Sequence, residues 1–329
     1  MRNRILENYP EIQKLYKNTI IETIGDTPLL HLSYLTRDLP KEFEIWAKFE
    51  GVNPGGSIKD RPALQMLLDG LQSKALTPDK VILDSTSGNT GIGLSLVGNI
   101  FKIPVELVVP ANASSERKSR MAAYGAKITF TSPMEGSDGA LLKARELHKE
   151  NPGKYFKPDQ YANPSNPKAH FVSTGPEIWE QTQGRITHFI ACLGTTGTIM
   201  GNGRFFKEKN KNIQVLAAEP NDAFHGLEGL KHMASSLKPE IYKPNELDGI
   251  IPVPTEPSYE LAKRLAREEG IFSGQSSGAS VWAALHLAHQ LKEQGAKQAV
   301  IVCILPDSGE KYYSKGLWDN LNERSSNSF

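Results

Sequence analysis

Short apolar runs rich in β-branched residues recur between helix-like stretches of this sequence. Strands that alternate with helices form parallel sheets, because a crossover must carry the chain back before the next parallel strand begins. The alternation therefore predicts an α/β fold. With 329 residues, the chain can form two lobes, each with a mostly parallel, twisted sheet flanked by helices. The runs that we assign to strands are residues 81–84, 105–109, 186–193, 213–218 and 299–305.

Charged residues are nearly balanced, with 38 basic and 37 acidic side chains. A chain without excess positive charge lacks the long-range field that attracts nucleic acid or anionic membranes, so neither is an expected partner. Residues 1–10 carry too many charges for a signal peptide, and no apolar run reaches the ~20 residues of a membrane span. We expect a cytoplasmic protein.

Few residues of this sequence could carry redox or metal chemistry. Cys192 and Cys303 each lie inside an apolar run that predicts a buried strand, where thiols usually belong to the hydrophobic core. His286 and His289 have a helical spacing that a metal can use, but no cysteine or carboxylate cluster nearby would complete a ligand set. We expect free thiols and no metal site.

A glycine-rich loop with the sequence GTTGT, residues 194–198, follows one predicted strand and precedes a predicted helix at 199–209. Such a loop directs backbone N–H groups and the positive end of a helix dipole at an anion, typically a phosphate. The alternative is a tight strand-to-helix turn that uses glycine only for its conformational freedom. This loop alone supports both interpretations equally.

A second loop, STSGNTG at residues 85–91, follows the predicted strand 81–84, at the kind of strand end where open α/β sheets bind ligands. Its hydroxyl, amide and backbone donors could hold a carboxylate, although serine and threonine are also ordinary helix caps. The spacing of Gly88, Gly91 and Gly93 reverses the G-x-G-x-x-G pattern, and no G-x-x-x-x-G-K-[ST] is present. Dinucleotide and nucleoside triphosphate sites are therefore disfavoured.

A third segment, NPGGSIKDRP at residues 53–62, contains Lys59 near a predicted helix start. Most lysines are solvated surface charges. A lysine that is partly desolvated near other cations, however, has a lowered pKa and becomes an amine nucleophile for an aldehyde cofactor. Lys59 is a candidate for that role if its neighbours match.

Taken together, these motifs resemble the pyridoxal-phosphate enzymes of the tryptophan-synthase-β fold type (fold type II) and, within them, the B-type cysteine synthases. The resemblance runs from about Thr23 to Ser314 and keeps the order of the family's segments. The shared segments are residues 24–29, 53–61, 86–91, 160–164, 194–198 and 274–278. The segments typical of the B type are residues 46–50, 174–179 and 184–189.

The resemblance implies pyridoxal 5'-phosphate as the cofactor and Lys59 as its Schiff-base residue and the catalytic base. Asn89 would contact the ring hydroxyl of the cofactor, and Ser276 would face its pyridine nitrogen. The phosphate of the cofactor would be bound by Gly194, Thr195, Thr196, Gly197 and Thr198. The α-carboxylate of the substrate would be bound by Thr86, Ser87, Thr90 and Gln160.

Relatives of this kind imply a homodimer whose subunit has two domains. The larger, cofactor-binding domain would consist of residues 1–50 and 165–329. Residues 51–164 would form a smaller, mobile substrate domain. The proline- and asparagine-rich segment at 163–167 is a plausible boundary, or else a loop inside one domain.

The implied activity is that of a transferase of cysteine biosynthesis. It would make L-cysteine from O-acetyl-L-serine and sulfide, or thiosulfate, by β-replacement through an aminoacrylate. Lys231 aligns with a basic residue near the substrate side chain in B-type relatives, some of which use arginine there to accept O-phosphoserine. Lysine supplies the charge without the two-pronged donor, which favours O-acetylserine over O-phosphoserine. A solvated surface lysine is the other interpretation of Lys231.

Several alternatives stay open at this point. Cystathionine β-synthases and diaminopropionate-type synthases share the pattern, whereas serine or threonine dehydratases match less well around Lys59 and Asn89. Outside enzymes, the chain could be an inactive regulatory protein that keeps the fold. The intact lysine, asparagine and GTTGT loop argue against a silent site.

Overall fold

The computed structural model describes residues 2–86 and 88–319. Its ten strands are β1 (Leu29–His31), β2 (Phe43–Phe49), β3 (Val81–Ser85), β4 (Val105–Pro110), β5 (Lys127–Thr131), β6 (Tyr155–Phe156), β7 (His188–Cys192), β8 (Gln214–Pro220), β9 (Gly249–Val253) and β10 (Ala299–Leu305). The α-helices are α1 (Pro10–Leu15), α2 (Asp60–Gln72), α3 (Asn89–Phe101), α4 (Ser115–Ala123), α5 (Gly136–Glu150), α6 (Ser165–Ala169), α7 (Gly175–Gln181), α8 (Gly197–Lys209), α9 (Thr255–Glu268) and α10 (Gln275–Glu293). One π-helical turn, His170–Thr174, links α6 to α7. Short 3-10 helices cover Leu6–Asn8, Ile20–Thr23, Glu50–Val52, Pro133–Glu135, Pro244–Glu246 and Gly309–Lys315.

All five strands predicted from the sequence are present, with ends that differ by up to two residues. The helix predicted at 199–209 begins two residues earlier, at Gly197. Ser114 caps α4 by accepting a hydrogen bond from the N–H of Arg117, and Gly125 follows with a φ of +86°. These local signals were sufficient because turn glycines and capping hydroxyls satisfy the chain within a few residues.

The larger sheet has six strands in the order β1-β2-β10-β7-β8-β9. Only β1 is antiparallel to its neighbour. All seven residues of β10 are buried, since α10 covers one face of the sheet and α8 the other. A strand covered on both faces needs a continuous apolar run, as its sequence has.

The smaller sheet has four parallel strands in the order β5-β4-β3-β6. Helices α2 and α3 pack in one hydrophobic cluster with β3 and β4, and α5 packs on the other side of these strands. The N-terminal residues Ile5, Leu6 and Ile21 belong to that same cluster. The predicted domain limits are not settled by this packing and stay a prediction.

Both cysteines are free, as predicted, although they lie on the neighbouring strands β7 and β10. Burial raises the pKa of Cys192 and of Cys303 to about 12, which keeps both thiols protonated and unreactive. In the part of the chain that the structure describes, no helix is long and apolar enough to cross a membrane.

The two sheets present the carboxyl ends of their strands to a shared cavity. The loops after β3 and β7 and the end of β10 all contribute to its wall. This is where parallel sheets place their ligands, because loops and helix N-termini converge there. The cavity measures about 300 Å³.

Candidate active site

The GTTGT loop turns directly from β7 into α8, as its glycines predict. An added Cβ at Gly194 would lie 2.6 Å from the carbonyl oxygen of Gly229, and one at Gly197 would lie 1.9 Å from Asn166 Oδ1. Both separations are shorter than any real carbon contact. Glycine is thus required by close packing and not only by backbone freedom.

Thr196 is the most unusual residue of this loop. It lies in the left-handed region, with φ +70° and ψ −8°, although a β-branched residue is strained there. Its Oγ1 is buried and has no hydrogen-bond partner within the described structure. Strain and an unpaired buried hydroxyl occur together where an absent ligand completes the site.

Two side chains outside the GTTGT loop, those of Asn166 and His170, contact its threonines. Asn166 donates from Nδ2 to Thr195 Oγ1 at 3.2 Å and to the carbonyl of Gln160 at 2.7 Å. His170, on the π-helical turn, lies with Nε2 at 3.3 Å from Thr198 Oγ1. Burial lowers the pKa of His170 well below its usual value, so the imidazole is neutral. A neutral ring can orient the Thr198 hydroxyl without adding charge.

Lys59 precedes α2 and lines the same cavity as the GTTGT and 85–91 loops. Its Nζ forms no hydrogen bond or ion pair with any other described residue, and only its backbone N–H is bound, to Ser57 Oγ. Burial lowers the pKa of Lys59, and the carboxylate of Asp307 only partly opposes that shift. The shift raises the share of the neutral amine, which is the nucleophilic form.

Asn89, the first residue of α3, is held by two charged side chains. Its Nδ2 donates to Asp307 Oδ2 at 2.7 Å, and its Oδ1 accepts from Lys311 Nζ at 2.8 Å. Lys311 also donates to the carbonyls of Gly55 and Gly56, and Tyr312 donates to the same oxygen of Asp307. An amide nitrogen carries two hydrogens, so Asn89 keeps one donor for a ligand in the cavity.

Ser276 is the second residue of α10 and lines the cavity on the side of β7. The backbone carbonyl of Ser276 accepts a weak hydrogen bond from Cys192 Sγ at 3.5 Å. The residue is buried, and its helix begins at the cavity wall. Its position is compatible with contact to a planar ring bound near Lys59.

The 85–91 loop satisfies most of its donors internally. Thr90 Oγ1 donates to Gln160 Oε1 at 2.6 Å, and Gln160 Nε2 donates to the carbonyl of Ser85 at 2.8 Å. Thr86 Oγ1 accepts from the N–H groups of Gly88 and Gly91. Thr86, Thr90 and Gln160 are therefore brought together, as predicted positions of one subsite. Ser87, predicted to belong with them, lies outside the described residues.

Lys231 reaches the cavity from the segment after β8, and its backbone N–H donates to the carbonyl of Leu193 at 2.8 Å. It is only 8% exposed, which excludes the solvated surface lysine that was the other interpretation. Its Nζ is not free, because it contacts Asp138 Oδ1 at 2.8 Å. That partner lies 93 residues away in sequence and could not be predicted.

The residues brought to the cavity fit pyridoxal 5'-phosphate by their chemistry. Gly194, Thr195 and Thr198 of the GTTGT loop line the cavity and suit a phosphate, the unpaired amine of Lys59 suits an aldehyde, and the spare donor of Asn89 suits a ring hydroxyl. Within residues 2–86 and 88–319, no group of three or more His, Cys, Asp or Glu side chains is placed to hold a metal ion.

Comparison with known proteins agrees with this chemistry. The family described as pyridoxal-phosphate dependent enzyme matches residues 20–307. A cysteine synthase from Aquifex aeolicus is 51% identical over 317 residues, which is 96% of this chain and 97% of that protein. A cysteine synthase B from Pseudomonas aeruginosa is 40% identical over 301 residues, or 92% of this chain and 97% of that protein.

Solved structures show the same relationship. The crystal structure of a cysteine synthase (OASS) from Entamoeba histolytica matches with a TM-score of 0.86 at 35% identity. The match covers 94% of this chain and 92% of that chain. It confirms the predicted two-lobed α/β fold.

Proposed function

The chain belongs to the pyridoxal-phosphate dependent enzyme family, and on that premise we propose that it makes L-cysteine by β-replacement on O-acetyl-L-serine with sulfide. The resemblance to cysteine synthases, B type included, is confirmed by its relatives. It is an enzyme of pyridoxal 5'-phosphate, a transferase, and its substrates are small molecules.

One observation carries the proposal: the partly buried Lys59, whose amine has no partner among the described residues, lines one cavity with two loops that each lead into a helix. An amino-acid substrate presents one carboxylate, and the cofactor presents one phosphate, so two loops are needed. We assign the phosphate to the GTTGT loop and the α-carboxylate to Thr86, Ser87, Thr90 and Gln160. Asn89 would contact the ring hydroxyl.

Lys59 is the residue that we propose moves the substrate's α-proton. When bound, the cofactor supplies an aldehyde for the amine and an electron sink for charge at the α-carbon. The lowered pKa of Lys59 keeps Nζ ready to accept the α-proton once the substrate occupies the cavity. The same atom returns the proton after the sulfur has added to the β-carbon.

Ser276 is the proposed partner of the pyridine nitrogen. A hydroxyl stabilises a proton on that nitrogen much less than a carboxylate would, because it carries no charge. Less charge is then drawn into the ring, which favours loss of the β-substituent over transamination. The position of Ser276 on the cavity wall supports this assignment.

Closure of the smaller domain is part of the proposal. We take residues 51–164 as the mobile substrate domain and residues 1–50 and 165–329 as the cofactor domain. Because the Thr90 hydroxyl now donates to Gln160 Oε1, a substrate carboxylate can accept from that hydroxyl only if the bond is exchanged. Exchange and closure would exclude water from the reacting β-carbon.

The leaving group and the sulfur donor follow from the cavity's charges. Lys231 is the cation that we place near the leaving group, and its pairing with Asp138 favours a neutral acetyl ester over O-phosphoserine. Sulfide fits as nucleophile, with thiosulfate as the larger alternative. A cytoplasmic homodimer is the proposed state of the enzyme.

Borohydride reduction of the holoenzyme followed by peptide mapping tests the role of Lys59. We expect the pyridoxyl label on Lys59, and its loss in Lys59→Ala because no other amine can replace that bond in place. Lys231→Met is the matched control and should keep the label, since its amine lies at the cavity rim in an ion pair. A label on Lys231 or Lys311 would refute the assignment.

The reaction itself is tested by adding O-acetylserine to the holoenzyme and then sulfide. We expect the visible absorbance band of the cofactor to shift with the ester and to return as L-cysteine appears. An unchanged spectrum with no cysteine would favour an inactive relative. Product formed only with homocysteine or with an amine nucleophile would indicate a cystathionine- or diaminopropionate-forming enzyme.

A further inference from the structure

The ion pair between Lys231 and Asp138 lies in the wall of the cavity. Lys231 is tied by its backbone to the end of β7, while Asp138 lies in the first turn of α5, on the smaller sheet. Nζ and Oδ1 are 2.8 Å apart, and both side chains line the cavity. The pair therefore joins the two lobes at the point where a substrate side chain would enter.

Both partners are fixed in place by further contacts. The other carboxylate oxygen of Asp138, Oδ2, accepts from the backbone N–H of Leu237 at 3.2 Å. The ammonium group of Lys231 lies 5.5 Å from the centre of the Tyr161 ring, a cation–π distance. Lys231 is nearly buried, whereas the side chain of Asp138 is 36% exposed, so water screens the pair in part.

A second cation that lines the cavity, Arg117, shares one carboxylate with Lys315. Arg117 contacts Glu228 at 2.9 Å, and Lys315 contacts the other oxygen of that carboxylate at 2.7 Å. Glu135, which also lines the cavity, adds a further negative charge. Lys231 therefore has a carboxylate of its own, whereas Arg117 shares one with Lys315 and keeps its buried Nε without a partner among the described residues.

We propose that Asp138 is a specificity-determining residue that directs this enzyme away from serine esters with a dianionic leaving group. The inference rests on the proposed function and deepens it. A phosphate beside Lys231 would meet the Asp138 carboxylate at contact distance, where like charges repel. An acetyl group carries no charge and leaves the ion pair intact.

The first test compares kcat/KM for O-phospho-L-serine and O-acetyl-L-serine in the wild-type holoenzyme and in Asp138→Asn. We expect the phosphate-to-acetyl ratio to rise about 10-fold in the variant, since the amide keeps the shape and removes the charge. Glu146→Gln is the matched control, because it removes a paired, exposed carboxylate of the same helix. Its ratio should equal that of the wild type.

The second test measures binding without turnover, by calorimetry with two unreactive isosteres of the substrates. One is the phosphonate that replaces the bridging oxygen of O-phosphoserine by CH₂, and the other is the corresponding methyl ketone. We expect Asp138→Asn to improve phosphonate affinity relative to ketone affinity by about 10-fold. The double variant Asp138→Asn with Lys231→Met should lose that gain, because the attracting cation is gone.

The outcomes separate the two proposals. An unchanged affinity ratio in Asp138→Asn, or a gain that survives the loss of Lys231, would overturn the role of Asp138. If the affinity ratio shifts as expected but neither ester is turned over, the specificity inference stands and the proposed reaction fails.

Discussion

The GTTGT loop and the 85–91 loop occupy equivalent places, each between a parallel strand and a helix, yet they differ in backbone strain and in the hydrogen bonds of their hydroxyls. In the first, Thr196 is strained and its buried Oγ1 is unpaired. In the second, the hydroxyls of Thr86 and Thr90 have partners within the protein, whereas that of Ser85 has none among the described residues. This contrast fits the proposed roles, in which the first loop binds the cofactor and the second binds the substrate.

This difference has a thermodynamic basis. A cofactor that stays bound through every turnover can offset strain in its loop once, with charge-assisted hydrogen bonds of about 1.5–3 kcal/mol each. A substrate must also leave as product, so its loop gains from having a stable arrangement of its own. The Thr90–Gln160 hydrogen bond supplies that arrangement. The substrate must replace this hydrogen bond when it binds, which lowers its affinity and couples its binding to domain closure.

The largest effect is expected from a substitution that adds volume inside the GTTGT loop. Gly197→Ala would place a carbon 1.9 Å from Asn166 Oδ1, and Asn166 also supports Thr195. We expect cofactor retention on dialysis to weaken roughly 100-fold or more, as for about 3 kcal/mol lost. The chain should still fold, because the strand and helix on either side are independently packed.

Gly153→Ala is the control for that substitution, since a Cβ there meets nothing within 4 Å and its φ is not positive. It should retain cofactor as the wild type does. Normal cofactor retention by Gly197→Ala would mean that the GTTGT loop adjusts easily to added volume. The contrast between a rigid GTTGT loop and an adaptable 85–91 loop would then be wrong.

The sequence was sufficient to predict features that depend on neighbouring residues. The strands and the turn at Gly194 and Gly197 follow from short-range patterns. Lys59 could be proposed because glycines precede it and a helix follows, which are local signals. Its assignment to a cofactor still came from resemblance, because spacing alone does not identify a ligand.

What the sequence could not predict is pairing across the lobes. Asp307 and Lys311 hold Asn89 from more than 200 residues away, and no periodicity links them. The pairing of Lys231 with Asp138 depends equally on how the two sheets face each other. These partners decide the charge state of the site. Side chains that act through space have no signature in a single chain read in order.

A smaller effect is expected from a substitution in the 85–91 loop. Thr90→Val removes the donor to Gln160 while keeping the shape, and it leaves Gln160 Oε1 without its partner. We expect affinity for O-acetylserine, read from the spectral shift, to fall roughly 5- to 10-fold, as for about 1 kcal/mol. Cofactor retention should not change.

Thr198→Val provides the reverse case for the same comparison. The Thr198 hydroxyl belongs to the GTTGT loop and contacts His170. Its loss should lower cofactor retention by roughly 10-fold. The spectral shift with O-acetylserine should change little once the cofactor is saturating. If both variants weaken cofactor retention and substrate affinity alike, the two loops act as one coupled unit.

The smallest expected effect concerns Lys311, which ties the 85–91 loop to the segment before Lys59. Burial lowers its pKa from 10.5 to about 8 in the folded chain. Between these values the unfolded chain holds more protons at this position than the folded one, so folding becomes more favourable as pH rises. Across pH 7 to 9 this group should contribute about 1 kcal/mol of added stability. Below the folded pKa that contribution is absent.

Other buried groups act in the opposite direction, and a difference measurement is needed to isolate Lys311. Burial raises the pKa of Tyr312 and of Cys303, so the unfolded chain loses those protons first and stability falls at high pH. Urea unfolding of the wild type and of Lys311→Met should therefore diverge by about 1 kcal/mol between pH 7 and 9, with the wild type gaining. Lys315→Met, which removes an exposed lysine of the same 3-10 helix, controls for net charge and should run parallel to the wild type. Parallel curves for Lys311→Met would show that this lysine is solvated in the folded chain, and that the 85–91 loop is held to its neighbours less firmly than its hydrogen bonds indicate.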